Sequence, residues 1–168
     1  MIRRSLVLLL PLLLLVAACG DDDGAGTASA SGSGSGSGSA AAAEGDCEVV
    51  NGVEGEDSEV HVTLSEYAID VEEDGAEAGI VKFEATNDGA VDHELVVLEG
   101  PADEVQVGDD GAPLEDGLIG EIEAFAPGTE CQGSFELAAG TYTLLCAIVE
   151  ESGESHFSEG MVTELEVK

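Results

Sequence analysis

The chain is 168 residues long and carries 37 Asp and Glu against four Lys and Arg, a formal net charge of −33 at pH 7. So few cations exclude nucleic-acid binding, because phosphate contacts require Lys and Arg. Residues 46–168 are enough for one domain of ordinary size with its own core.

Residues 1–18 read as a targeting segment. Arg3 and Arg4 precede an apolar run over residues 6–18, which is too short to span a bilayer and has signal-peptide length. The run ends in Val16-Ala17-Ala18-Cys19-Gly20, which resembles a bacterial lipobox. Cleavage there leaves Cys19 as a lipidated N-terminus. The alternative is an ordinary secretory signal with an incidental Cys; small residues before a Cys at the expected cleavage point favour the lipoprotein. Two or more acyl chains on Cys19 would anchor the chain stably outside the cytoplasmic membrane. Only Lys82 and Lys168 then remain as cations. Residues 19–45 form a linker, an acidic run at 21–23 followed by Gly, Ser and Ala. Without core-forming residues it behaves as a flexible coil, reaching about 25–30 Å from Cys19 to Cys47.

Residues 46–168 show little helical periodicity. Short alternating runs dominate: EVHVTL, GIVKFEAT, HELVVLE, GLIGEIEAF, GSFELA, TYTLLCAI and MVTELEV, with Gly, Pro, Asn and Asp between them. This pattern predicts an all-β, antiparallel-rich sandwich. Val81, Phe83 and Ala85 alternate with Lys82, Glu84 and Thr86, so one face of that strand is buried. Tyr142, Leu144 and Cys146 share a face, as do Met161, Leu165 and Val167. Residues 101–113 are the least regular and fit a loop or a short helix.

His93, Cys146, His156 and Met161 carry the chemistry. Taken singly, each has a bland reading: a strand Cys is a small buried hydrophobe, a Met is core filler, a His is hydrogen-bonded surface. Taken together, two imidazoles, a thiolate and a thioether make the His₂Cys set with a weak axial Met of a mononuclear blue-copper site. Sulfur favours Cu(I) and imidazole tolerates Cu(II), so an electron can enter and leave with little rearrangement.

On these residues, and on GIVKFEATNDGAVDHELVV, APGTECQGSFELAAGTYTLLC and HFSEGMVTELEV, the segment 58–168 resembles a cupredoxin of the plastocyanin and azurin kind. The resemblance implies a Greek-key β-sandwich. It implies one type 1 copper held by His93, Cys146 and His156, with Met161 axial. Two features depart from the family. The Cys-to-His loop, AIVEESGES, holds nine residues and carries Glu150, Glu151 and Glu154 where an apolar docking surface is expected. Glu94 stands where many members have an Asn that braces the site. These departures bear on docking and on reduction potential, not on ligand identity.

Other candidates are weaker. His61 alternates with Val60 and Val62 and is expected to face solvent without a metal role. The acid pairs Glu72–Glu73 and Glu150–Glu151 read as solvated turns. No Ser-His-Asp context or phosphate loop argues for an enzyme. Cys47 and Cys131 are left over in an oxidising compartment, where a disulfide is permitted, the alternative being two unpaired thiols.

The expected function is that of a lipid-anchored, monomeric, extracytoplasmic carrier of single electrons. Its partners are expected to be redox proteins such as a cytochrome or a membrane oxidase or reductase. The solvent-side edge of His156, or Phe157, is the expected electron port. The rivals are a copper-delivery lipoprotein of the same fold, an electron-entry subunit of an oxidase or reductase, and a metal-free binding sandwich. The acidity fits either a docking face for a basic partner or adaptation to high salt; its spread through nearly every loop favours the second.

Overall fold

The computed structural model describes residues 43–44 and 47–168. The targeting segment, Cys19 and residues 19–42 of the linker lie outside the described residues. One sheet is ordered β1-β8-β5-β3-β4, built from β1 (Ala43–Glu44), β3 (Ser58–Ser65), β4 (Ala68–Val71), β5 (Gly79–Asn87) and β8 (Thr129–Leu137). The other is ordered β10-β9-β6-β7-β2, from β2 (Val49–Val50), β6 (His93–Glu99), β7 (Leu118–Phe125), β9 (Gly140–Leu145) and β10 (Val162–Val167). Parallel pairing joins β3 to β5 and β1 to β8, and the other named pairs are antiparallel.

Alternation explains which faces meet. Val60, Val62 and Leu64 of β3, Val81, Phe83 and Ala85 of β5, and Phe135 and Leu137 of β8 are all buried. They pack against Leu95, Val97, Ile122, Tyr142 and Leu144 of the second sheet in one continuous core. Each such side chain contributes about 1.5–3 kcal/mol on removal from water. The second sheet is covered on its other face too. Val96, Leu98 and Leu145 form a smaller cluster with Val105, Phe157 and Val162. That is why Leu95 to Leu98 is an unbroken apolar run rather than an alternating one. The 101–113 stretch supplies part of this cover through a 3₁₀ turn at Ala102–Glu104 that delivers Val105.

Cys47 and Cys131 form a disulfide with Cα atoms 5.6 Å apart, joining residues 84 positions apart in the chain. Closing a loop of that size stabilises the fold by on the order of 4 kcal/mol in the chain-entropy account. Two residues read from sequence as linker, Ala43–Glu44, pair through their backbone with Thr129 and Glu130. Backbone pairing of this kind needs no apolar pattern, so the sequence carries no sign of it.

Candidate metal centre

His93, Cys146, His156 and Met161 come together at one end of the sandwich. His93 is the first residue of β6, and Cys146 follows the last residue of β9. The strand pair β9–β10 sets Leu145 opposite Val162, and the next residues outward are Cys146 and Met161. Their backbones are joined by the Cys146 N–H donating to the Met161 carbonyl at 3.2 Å. Between them the loop folds back on itself: Glu150 N–H donates to the Glu154 carbonyl at 2.8 Å, and His156 N–H to the Ile148 carbonyl at 3.0 Å.

The chain then makes a single helical turn, α1 (His156–Glu159), which the strand-like reading of the sequence did not contain. The Ser155 hydroxyl caps it by accepting from the Ser158 N–H, and Gly160 ends it with φ of 121°. A non-glycine residue is strained at that φ. The turn brings Met161 N–H to the His156 carbonyl at 3.0 Å, so the second imidazole and the thioether are tied to one piece of backbone.

The donor atoms converge. His156 Nδ1 lies 3.2 Å from His93 Nδ1 and 3.4 Å from Cys146 Sγ. The three donors lie within 4.8 Å of one another. All four residues, Met161 included, are 0% exposed. Burial pushes the Cys146 thiol up to about 11, so a metal must displace its proton. Burial, and then the neighbouring His156, push His93 below its ordinary value of 6.5 and keep it a neutral ligand.

The outer nitrogens point the other way. His93 Nε2 meets Glu66 Oε1 at 3.2 Å, and His156 Nε2 meets Glu150 Oε1 at 3.2 Å. Glu66 Oε1 also accepts from Ala90 N–H at 2.7 Å and Val91 N–H at 3.0 Å. The first of these does most to hold the Glu66 carboxyl down at about 2. An ionised carboxylate only accepts, so this contact suits a proton on His93 Nε2, which would leave Nδ1 free for a metal. His156 is arranged the same way, so one nitrogen of each ring and the Cys146 sulfur face one small buried space. A cation there would meet all three donors at once. The donor set therefore fits copper, and a thioether as fourth member suits copper better than zinc.

Supporting contacts fix the strands that bring these ligands in. Asn87 Nδ2 donates to the Val91 and Phe125 carbonyls at 2.9 Å each, holding the turn before His93. Glu94 Oε1 accepts from Ala147 N–H at 2.8 Å, tying the residue after His93 to the residue after Cys146. Glu94 thus makes a brace across the site. Burial pushes its carboxyl up to about 7.

Two expectations need correction. His156 is not an exposed port: its ring lies edge-on to Tyr67 at 5.5 Å, and its outer nitrogen is covered by Glu150. Tyr67 in turn donates its hydroxyl to Glu154. Phe157, the alternative port, is half-buried and packs against the small cluster of Val96, Leu98 and Leu145. The acid pairs are not merely solvated turns either, since Glu150 bonds His156 and Glu73 bonds His61 Nδ1 at 2.7 Å. His61 stands on the outer face of β3 within reach of Glu59 and Glu84. There the Lys82 ammonium already pairs with Glu59 and lies 3.6 Å from Glu84.

No family model matches the chain, and no curated protein does. Among solved structures, auracyanin B aligns with 77% of this chain and 99% of its own at 21% identity and a TM-score of 0.52. The chain has the cupredoxin fold. Two further cupredoxin structures match with TM-scores of 0.49. One is auracyanin from the photosynthetic bacterium Roseiflexus castenholzii, at 18% identity over 68% of this chain and 99% of that one. The other is auracyanin A, a "blue" copper protein from Chloroflexus aurantiacus, at 21% identity over 66% of this chain and 98% of that one.

Proposed function

We propose that the protein is a blue-copper carrier of single electrons, without bond chemistry of its own. The observation that carries this reading is the convergence of His93 Nδ1, His156 Nδ1 and Cys146 Sγ beside buried Met161. Copper bound there supplies a one-electron couple. The residues supply enclosure and rigidity. The β9–β10 pair fixes Cys146 against Met161, α1 fixes His156, and Asn87 fixes the approach to His93. A site locked from several elements suits two oxidation states with little reorganisation. It favours a carrier over copper delivery, which needs a loop that opens. Tyr67, partly exposed and in edge contact with His156, is the aromatic group best placed to link the site to a partner.

The proposal extends to location and partners. The lipobox ending at Cys19 motivates an acylated, membrane-anchored, extracytoplasmic protein serving other redox proteins there. The Cys47–Cys131 disulfide supports an oxidising compartment. The test is direct. The protein from residue 43 onward, loaded with Cu(II), should take one equivalent and become intensely coloured through thiolate-to-copper charge transfer. Cys146→Ser should abolish the colour. A folded but colourless wild-type complex would remove the reading. Full-length protein should partition into detergent while Cys19→Ala does not; equal partitioning would remove the anchor.

A further inference from the structure

Each candidate ligand imidazole has its far nitrogen on a carboxylate, and the two carboxylates come from different parts of the fold. Glu66 follows β3, in the turn before β4, and Glu150 lies in the loop between Cys146 and His156. Neither contact follows from sequence proximity, since Glu66 is 27 residues from His93 and Glu150 is six from His156. Glu66 is itself built in, by two backbone donors onto the same oxygen. Space is made for it as well. A Cβ on Gly89 would fall 2.6 Å from Glu66 Oε1 and 2.7 Å from His93 Nε2, so only glycine admits this pair.

We propose that Glu66 and Glu150 are positioning residues for the two imidazoles, holding each Nε2–H, presenting each Nδ1 to the metal, and setting two negative charges one ring beyond it. This rests on the copper reading above. A carboxylate behind a ligating imidazole fixes its tautomer and raises its basicity. The added negative charge favours the more highly charged ion, so the pair holds Cu(II) relative to Cu(I) and lowers the reduction potential. The two are not equal. The Glu66 side chain is 29% exposed and bonded on three sides, whereas Glu150 is 40% exposed, so water screens Glu150 more. Glu66 is the stronger of the two.

Two kinds of variant separate charge from position. Glu66→Gln and Glu150→Gln keep an amide oxygen that can accept Nε2–H but lose the charge. Gly89→Ala keeps both charges and displaces the Glu66–His93 pair. Voltammetry on the copper-loaded domain should show the Gln variants blue and shifted upward. The preference for Cu(II) should fall about tenfold for Glu66→Gln, equivalent to about 59 mV for a one-electron couple. The shift for Glu150→Gln should be smaller. Gly89→Ala should weaken Cu(II) binding with Glu66 intact.

A second measurement needs no copper and no variant. Nitrogen-15 spectra of the metal-free protein contain only three histidines. They should show His93 and His156 as neutral Nε2–H tautomers. Blue Gln variants with potentials coinciding with wild type would overturn the proposal while leaving the copper reading intact. An Nδ1–H tautomer on His93 or His156 would overturn it as well. A colourless wild type would instead remove the copper reading, and the tautomers would still decide whether the carboxylates position the rings.

Discussion

Met161 is held between Cys146 and His156 by two backbone hydrogen bonds and is completely buried. Its role is testable apart from its packing. A thioether is a weak, soft, neutral donor, so a harder oxygen in its place favours Cu(II) and a hydrocarbon removes the donor altogether. Met161→Gln should keep the colour and lower the potential; Met161→Leu should raise it. If Met161 only packs, Gln costs stability and all three potentials coincide. The ligand types themselves are legible in the sequence, because residues 46–168 hold only three Cys, three His and one Met, which leaves few ways to build a soft site. Glu66, Glu150 and Glu94 are not legible. In a chain with 37 acidic residues a Glu carries no information by itself, and only the fold says which ones meet an imidazole or a loop amide.

At the level of elements, the alternating runs give the strands because one side of each faces the shared core. β5 shows this most plainly, with Val81, Phe83 and Ala85 fully buried between Lys82 and Glu84. The signal fails where no long run exists. β2 is two residues and β4 is four, and both take their place through pairing with a longer neighbour. It also fails at α1, whose four residues are too few to show a helical period. β7 shows how much one small residue can decide. A bulge beside His93 lets Ile122 and Phe125, three residues apart, both reach the core. Further along the same strand, a Cβ on Gly120 would lie 2.4 Å from Phe135 Cε1 and 2.7 Å from the Val50 carbonyl oxygen. Phe135 is fully buried and cannot step aside without moving its neighbours. Gly120→Ala should therefore cost about 1–3 kcal/mol, the usual range for overpacking. Urea unfolding that gives an unchanged midpoint would show that the two sheets can separate enough to admit a methyl group.

For the whole molecule the dominant quantity is charge. Acids stand on the outer faces of both sheets, with Glu136 on β8 and Glu164 and Glu166 on β10 all exposed. Lys82 alone answers three of them, Glu56, Glu59 and Glu84. A single docking face would leave the rest of the surface more nearly neutral. Dispersal over both faces instead makes the compact state repel itself, since folding brings these charges closer than the unfolded chain holds them. Salt shortens the reach of that repulsion, from about 10 Å at 0.1 M to about 3 Å at 1 M. The domain should accordingly gain stability steeply as NaCl rises into the molar range, read as a rising thermal midpoint. The copper-free form should show it as clearly as the loaded one, because the effect belongs to the surface and not to the site. A local acidic patch predicts something else: a midpoint almost flat in salt, with the salt dependence appearing only in the rate of electron exchange with a cationic partner. A flat midpoint would therefore return the acidity to a docking role. The faces carrying Glu136 and Glu164 would then have to be compared by charge reversal to find which of them a partner meets.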